Sequence, residues 1–181
     1  MYKKNILIIG GTGFIGYHLS RKCIKKKYLV TSFSTKLPSK KRYIKGVKYI
    51  ITNIADKKKL NKKINKRYDY VVNLGGHVDH TNKKKTFSSH YIGCKNLVEI
   101  LSKNFPKVFL QMGSSAEYGD QKSPLVENVK CKPNSIYGKS KLLSTNYLLK
   151  INKQKKFPAI IFRLFQAYGP KQDINRIIPI A

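Results

Sequence analysis

The sequence predicts an α/β fold, a doubly wound parallel sheet with helices on both faces. Two observations predict it. Short apolar runs alternate with longer helical patterns along all 181 residues. The first of these runs, Ile6-Leu7-Ile8-Ile9, stops at Gly10-Gly11-Thr12-Gly13, and a helical pattern opens at Phe14. Strands that alternate with helices of this length imply right-handed crossovers between parallel neighbours.

Taken in order, strands are expected at Asn5–Ile9, Leu29–Phe33, Val47–Ile51, Tyr70–Leu74, Val108–Met112 and Ala159–Arg163. Helices are expected at Phe14–Lys26, Lys57–Asn65, Thr86–Lys103 and Ser135–Lys150. Leu37–Arg42 reads as a basic loop, and there is no internal repeat or low-complexity linker. In such sheets a ligand sits beyond the carboxyl ends of the strands. That rule gathers Gly10–Gly13, Leu74–His77 and Gly113–Ser115 around one cleft. The whole chain, 1–181, reads as one domain of a size that buries a real core.

The glycine turn is the strongest chemical signal. Without Cβ atoms, a turn between a strand and a helix start lets a pyrophosphate approach the backbone, and the helix N–H groups point at the anion. Both a G-x-G-x-x-G register (Gly11, Gly13, Gly16) and a G-x-x-G-x-x-G register (Gly10, Gly13, Gly16) fit here. The strand before and the helix after make this a dinucleotide site of Rossmann type, rather than a bare turn.

Composition narrows the partners. The net charge of +30 is compatible with nucleic acid, anionic membrane or phosphorylated ligands. However, 33 of the 38 basic residues are lysine, whereas nucleic-acid readers lean on arginine for bidentate contacts. The lysines are also spread out, in runs such as Lys57-Lys58-Lys59 and Lys83-Lys84-Lys85, so a solvated surface is the favoured reading and nucleic acid stays open as the lesser one. No run of 18 or more apolar residues exists, so no membrane partner is expected. The N-terminal apolar stretch ends in glycines with no cleavage site after it, which argues against a signal peptide. Cys23, Cys94 and Cys131 lack metal-ligand spacing and read as reduced thiols in a cytoplasmic protein. His77, Asp79 and His80 fit no strong zinc pattern, and no metal is expected.

The chemistry concentrates further on. Tyr137 and Lys141, in NSIYGKSK, lie four apart and share a helix face. A nearby ammonium lowers a phenol pKa from its usual ~10 by about 1–3 units, so the phenol can exchange a proton with a sugar or alcohol hydroxyl near neutral pH. The same spacing recurs at Tyr91/Lys95 and Tyr118/Lys122. Context selects Tyr137, which follows a helix start at Pro133-Asn134-Ser135 between two strands. Ser114 and Ser115 end an apolar strand, where a hydroxyl can polarise a substrate oxygen or merely cap a turn.

The ordered set of glycine turn, SSAEYG, PNSIYGKSK and RLFQAYGP resembles the extended short-chain dehydrogenase/reductase family of nucleotide-sugar epimerases and dehydratases. The likeness runs from Asn5 to about Pro179. It implies Tyr137 as catalytic acid/base, Lys141 as the group that orients it and holds the nicotinamide ribose, and Ser114, with Ser115 as fallback, as the catalytic hydroxyl. The cofactor, NAD or NADP, would meet Gly10, Gly13, Phe14, Ile15 and Gly16 at the pyrophosphate. Ser34, Lys36, Asn53 and Ile54 would lie on its adenosine side, and Leu74, Gly75 and Gly76 along its flank, with Tyr137 and Lys141 at the nicotinamide end. The implied partners are a nucleoside-diphosphate sugar and, as an option, a second copy of the chain in a homodimer.

Several positions depart from the family pattern. The acidic residue that usually ends the second strand is replaced by Ser32-Phe33-Ser34-Thr35-Lys36. With Lys40, Lys41 and Arg42 close by, a 2′-phosphate would be welcome and NADP becomes plausible. Asn53 replaces the Asp expected after the third strand, although Asp56 follows. His90 stands at the mid-helix Asn, Gln166 at the Asn before Tyr-Gly-Pro, and glycines where Leu74 is usually followed by alanine. Ser115-Ala116 occupy the place of the Asp-Glu pair that eliminates water in 4,6-dehydratases, with Glu117 one step late.

A 4-epimerase is therefore the favoured activity, and an NADPH-dependent 4-keto-sugar-nucleotide reductase the alternative. A non-catalytic module binding NADP(H) or RNA and an inactive remnant also remain open. Family members continue into a small C-terminal domain that grips the substrate, and this chain is expected to lack it.

Overall fold

The computed structural model describes residues 3–77 and 81–174. Six strands form one sheet: β1 (Asn5–Ile9), β2 (Leu29–Ser34), β3 (Val47–Ile51), β4 (Tyr70–Asn73), β5 (Val108–Ser114) and β6 (Ala159–Leu164). Their order is β3-β2-β1-β4-β5-β6, and all neighbours pair in parallel. The chain starts in the middle, winds outward through β2 and β3, then returns to the other side of β1. The strand order thus reverses between β1 and β4, the place where sheets of this kind open a ligand crevice.

Helices α1 (Phe14–Lys25), α2 (Lys57–Lys63), α3 (Lys83–Phe87), α4 (Gly93–Leu101) and α5 (Ile136–Lys155) cover the sheet. A strand with helices on both faces has no polar side, and all five residues of β1 are buried. Successive side chains point to opposite faces. Leu7, Ile9, Phe33, Val71 and Phe109 enter one core with Leu97, Val98, Leu148 and Phe157. Ile6, Ile8, Val30 and Val72 enter the other with Cys23 of α1. Each such side chain contributes about 1.5–3 kcal/mol of burial. No helix among the described residues is long and apolar enough to cross a membrane.

The element boundaries differ from expectation in ways that matter for the site. β5 runs past Met112 to Ser114, because Gly113 and Ser114 pair with Arg163 and Leu164 of β6. β4 ends at Asn73, so Leu74 belongs to the loop after it. The helix expected from Thr86 starts at Lys83, capped by Asn82, and a π-helical turn at Ser88–Ile92 joins α3 to α4. α5 continues to Lys155 and ends in left-handed Lys156. Its last turn, rich in Lys, Asn and Gln, has helix propensity without an apolar stripe, which is why periodicity alone stopped it at Lys150. α2 conversely ends at Lys63, short of Asn65.

Candidate active site

The glycine turn follows β1. Gly10 has φ +77°, a left-handed conformation, and a Cβ there would meet the Leu74 carbonyl carbon at 3.1 Å. Its N–H donates to Phe33 O at 2.7 Å, and the Gly13 N–H donates back to Gly10 O at 3.0 Å. A Cβ on Gly16 would strike Gly10 O and lie 2.6 Å from Gly11 Cα, so α1 approaches the turn more closely than any side chain allows.

The start of α1 is unlike that of three other helices. Asp56, Asn82 and Ser135 cap α2, α3 and α5 with their side chains. Gly13 offers α1 no side-chain cap, and its first turn holds no acidic residue. The orphan N–H groups and positive dipole end at Phe14, Ile15 and Gly16 therefore suit an anion. A cradle that any Cβ would fill, at an uncapped helix start, fits a dinucleotide pyrophosphate.

The neighbouring loops complete the rim. At the end of β2 the Thr12 N–H donates to Ser34 Oγ at 3.4 Å, and Lys36 is exposed nearby. Asn53 is exposed and accepts the Ala55 N–H at 3.0 Å. Ile54, expected on the adenosine side, packs its side chain in the core, and its carbonyl accepts from Asn96. It supports the loop after β4 from beneath. In that loop the Gly75 N–H donates to Asn73 Oδ1 at 3.1 Å, while Asn73 Nδ2 donates to Gln111 Oε1 on β5 at 2.8 Å.

The β5–α5 junction brings Ser114, Tyr137 and Lys141 into one neighbourhood. Ser114 is buried; its Oγ accepts the Ala116 N–H at 3.2 Å and its own N–H donates to Glu117 Oε1 at 2.9 Å. Tyr137, half-buried, lies in the first turn of α5. Lys141 is only 4% exposed. Its Nζ lies 5.7 Å from the Tyr137 ring centroid and donates to Met112 O at 2.7 Å. Burial pushes the Lys141 pKa from 10.5 down to about 8, and the negative charge of Glu117 works against that fall.

The other two Tyr-x-x-x-Lys pairs have no such setting. Lys95 pairs with Glu99 at 3.9 Å, while Tyr118 is buried with Arg163 4.6 Å from its ring and Lys122 is exposed.

Three arrangements depend on contacts distant in sequence. His90, in the π-helical turn, is buried with its ring 5.0 Å from that of Tyr137 at an interplanar angle of 77°. Its Nε2 lies 3.2 Å from His77 O. A Cβ on Gly76 would overlap the His90 imidazole, so the glycine at 76 and the histidine at 90 form a matched pair of departures. Glu117 is fully buried, although its place in SSAEYG suggests a turn. The segment after β6 crosses α1: Lys171 Nζ donates to Tyr17 Oη at 2.8 Å, Arg42 Nη2 donates to Lys171 O at 2.6 Å, and Arg42 pairs with Asp173 at 2.8 Å. Gln166 is exposed. Among the described residues no three His, Cys, Asp or Glu side chains converge as metal ligands; Asp79 and His80 lie outside those residues. Cys23 and Cys94 are buried free thiols, and burial pushes the Cys94 pKa up to about 12.

Fold and site together define a Rossmann-type doubly wound protein with a buried Tyr-x-x-x-Lys lysine at the end of its fifth strand. The chain belongs to the NAD dependent epimerase/dehydratase family, whose pattern matches residues 6–181. It is 28% identical over 182 residues to the uncharacterized UDP-glucose epimerase YtcB of Bacillus subtilis, covering 92% of this chain and 58% of that one. It is 29% identical over 208 residues to the dTDP-D-glucose 4,6-dehydratase of Dictyostelium discoideum, covering 99% of this chain and 47% of that one. Its fold matches the UDP-glucose 4-epimerase of Thermotoga maritima, solved with UDP-glucose, at a TM-score of 0.88 and 24% identity, over 95% of this chain and 59% of that one. The chain thus spans about half to three-fifths of the length of these relatives.

Proposed function

We propose that this chain carries the dinucleotide site and the proton-transfer residues of an NAD(P)-dependent nucleotide-sugar 4-epimerase. The observation that carries the reading is the buried Lys141 ammonium beside Tyr137, two strands across the sheet from a glycine cradle with an uncapped helix start.

Each residue has a role in that reading. The N–H groups of Phe14, Ile15 and Gly16 hold the pyrophosphate, Ser34 and Lys36 lie on the adenosine side, and Asn53 and Ile54 border it. Leu74, Gly75 and Gly76 line the flank without crowding it. Lys141 holds the nicotinamide ribose and keeps the Tyr137 phenol poised to lose its proton. Tyr137 takes the proton of the sugar C4 hydroxyl and returns one after the sugar has turned, while Ser114 hydrogen-bonds the same oxygen. When bound, the nicotinamide supplies the hydride acceptor and donor that no side chain can provide. A nucleoside diphosphate on the sugar suits the basic surface.

Ser115-Ala116 in place of an acidic pair argues against a dehydratase. A second reading, an NADPH-dependent 4-keto reductase, draws on the end of β2, where Ser34 and Lys36 stand in place of a carboxylate and would tolerate a 2′-phosphate. Tyr137→Phe with UDP-glucose and UDP-galactose as substrates tests the assignment. The expected result is loss of interconversion with NAD⁺ binding retained; interconversion at the wild-type rate overturns it. Preference for NADPH and turnover only of a 4-keto sugar nucleotide would select the reductase. RNA binding that ignores added cofactor would select a non-catalytic module.

A further inference from the structure

Glu117 presents a problem that its place in a turn does not solve. A cap can sit in water, yet this carboxylate is 0% exposed, and burying a charge is costly unless it is paired and hydrogen-bonded. Three donors from three elements reach it. Ser114 N–H, at the end of β5, donates to Oε1 at 2.9 Å. Thr145 Oγ1, on α5, donates to Oε2 at 2.9 Å, and Arg163 Nε, on β6, donates to Oε2 at 3.2 Å. Room for the carboxylate against the strand depends on residue 113 being glycine, since a Cβ there would lie 2.5 Å from Glu117 Oε1.

The placement of those partners matters more than their number. Tyr137, Lys141 and Thr145 recur every four residues along α5 and so share one stripe of the helix. Met112 and Ser114 are alternate residues of β5: the first gives its carbonyl to Lys141, the second its N–H to Glu117. Arg163 engages Glu117 through Nε while its Nη1 donates to Glu127 O at 3.0 Å. Its fork is therefore divided and does not close on the carboxylate as a two-pronged pair.

We propose that Glu117 is a positioning residue for the candidate catalytic set: it fastens Ser114 to the helix bearing Tyr137 and Lys141, and it is the counter-charge that keeps Lys141 protonated. The proposal rests on the reading above for its catalytic meaning, while the bridge from Ser114 to Thr145 of α5 and the charge on Lys141 are its physical content. The groups facing Lys141 can be named. Tyr137 lies one turn before it on α5, with His90 of the π-helical turn against that ring. Cys94 of α4 acts on it electrostatically, as does Glu117, and Arg163 of β6 lies behind Glu117. The Cys94 thiol, pushed up to about 12 by burial, stays neutral over the working range. That leaves Glu117 as the carboxylate that supports the lysine charge in a site where burial opposes it.

The test is a titration of the full chain with isotope-labelled lysine, following the Lys141 Cε resonance by NMR and assigning it through its loss in Lys141→Met. The wild-type midpoint is expected near 8. Glu117→Gln keeps the size and an acceptor for Ser114 N–H but removes the charge; the midpoint should fall by about one pH unit, a tenfold loss of proton affinity. An unmoved or raised midpoint overturns the proposal. A merely structural Glu117 would leave that midpoint in place. Should Glu117→Gln fail to fold, the double variant Glu117→Gln/Arg163→Met, which leaves neither buried charge unpaired, is compared with Arg163→Met: the double variant's Lys141 midpoint should lie lower, and an equal or higher one overturns the proposal. Neither measurement needs substrate or cofactor, so it fails independently of the assigned activity.

Discussion

The two halves of the candidate site are built from different materials. At the β1–α1 turn the work falls to main chain: Gly10, Gly13 and Gly16 let turn and helix close on each other, the N–H groups of Phe14, Ile15 and Gly16 open α1, and that helix start carries no side-chain cap. At the β5–α5 junction it falls to buried charge: Lys141 at 4% exposure, Glu117 at 0%, and Arg163 behind them. A backbone cradle costs little, because its donors are polar but uncharged and open to solvent. A buried ammonium costs stability. Its descent from 10.5 to about 8 corresponds to a penalty on the order of 3 kcal/mol. One half is cheap and defined by what is missing, the other expensive and defined by what is paired.

The largest break in that comparison is Tyr137→Phe. It removes the exchangeable proton and keeps the ring, so turnover of a UDP-hexose should fall about 10²–10⁴-fold. Calorimetry should show NAD⁺ binding retained with little loss of affinity, because the glycine half is untouched.

Lys141→Met comes next and reads the expense directly. The folded-state pKa of Lys141, about 8, lies below its ordinary 10.5, so the unfolded chain holds more protons between those values. Stability should therefore rise with pH across that window for the wild type. The variant should lack this rise and be the more stable chain at pH 7, by up to about 3 kcal/mol. Urea denaturation at pH 7 and pH 10 measures both.

A smaller effect separates the halves where they meet. Gly76→Ala drives a methyl into the His90 ring and should cost about 1–3 kcal/mol. In a His90→Asn background the same change should cost less, with a coupling of at least about 0.5 kcal/mol in a double-mutant cycle. Purely additive costs would separate the two positions. The mildest change is Gly13→Ala. At φ −76° the residue tolerates alanine, and its Cβ would meet only Gly10 O, at 3.3 Å. Thermal stability should barely move, yet the methyl stands where the anion belongs, and NAD⁺ affinity should drop about tenfold or more, about 1.4 kcal/mol.

The same contrast explains what could be read from the sequence. Glycine spacing after an apolar run is a local pattern, and the sheet class followed from alternation of strands and helices. Tyr137 and Lys141 were legible because a four-residue spacing survives as a helix face. The position of Ile54 after β3 is local, but its setting depends on Gly93 and Asn96, more than thirty residues away. Glu117 was read only as a missing dehydratase acid, since Thr145 and Arg163 lie 28 and 46 residues further on. His90 was noticed as a departure, but its fit against Gly76 and Tyr137 depends on the π-helical turn, which periodicity at 3.6 residues does not register.

Calorimetric titration of the purified chain and of Gly13→Ala with NAD⁺ and NADP⁺ tests the central claim most directly, that the crevice beyond β1, β4 and β5 is a dinucleotide site. Micromolar binding by the wild type, lost in Gly13→Ala while the fold is kept, is the expected result, and the preferred nucleotide would weigh Ser34 and Lys36 as its adenosine contacts. No binding by the folded wild type, or equal binding by Gly13→Ala, would contradict it.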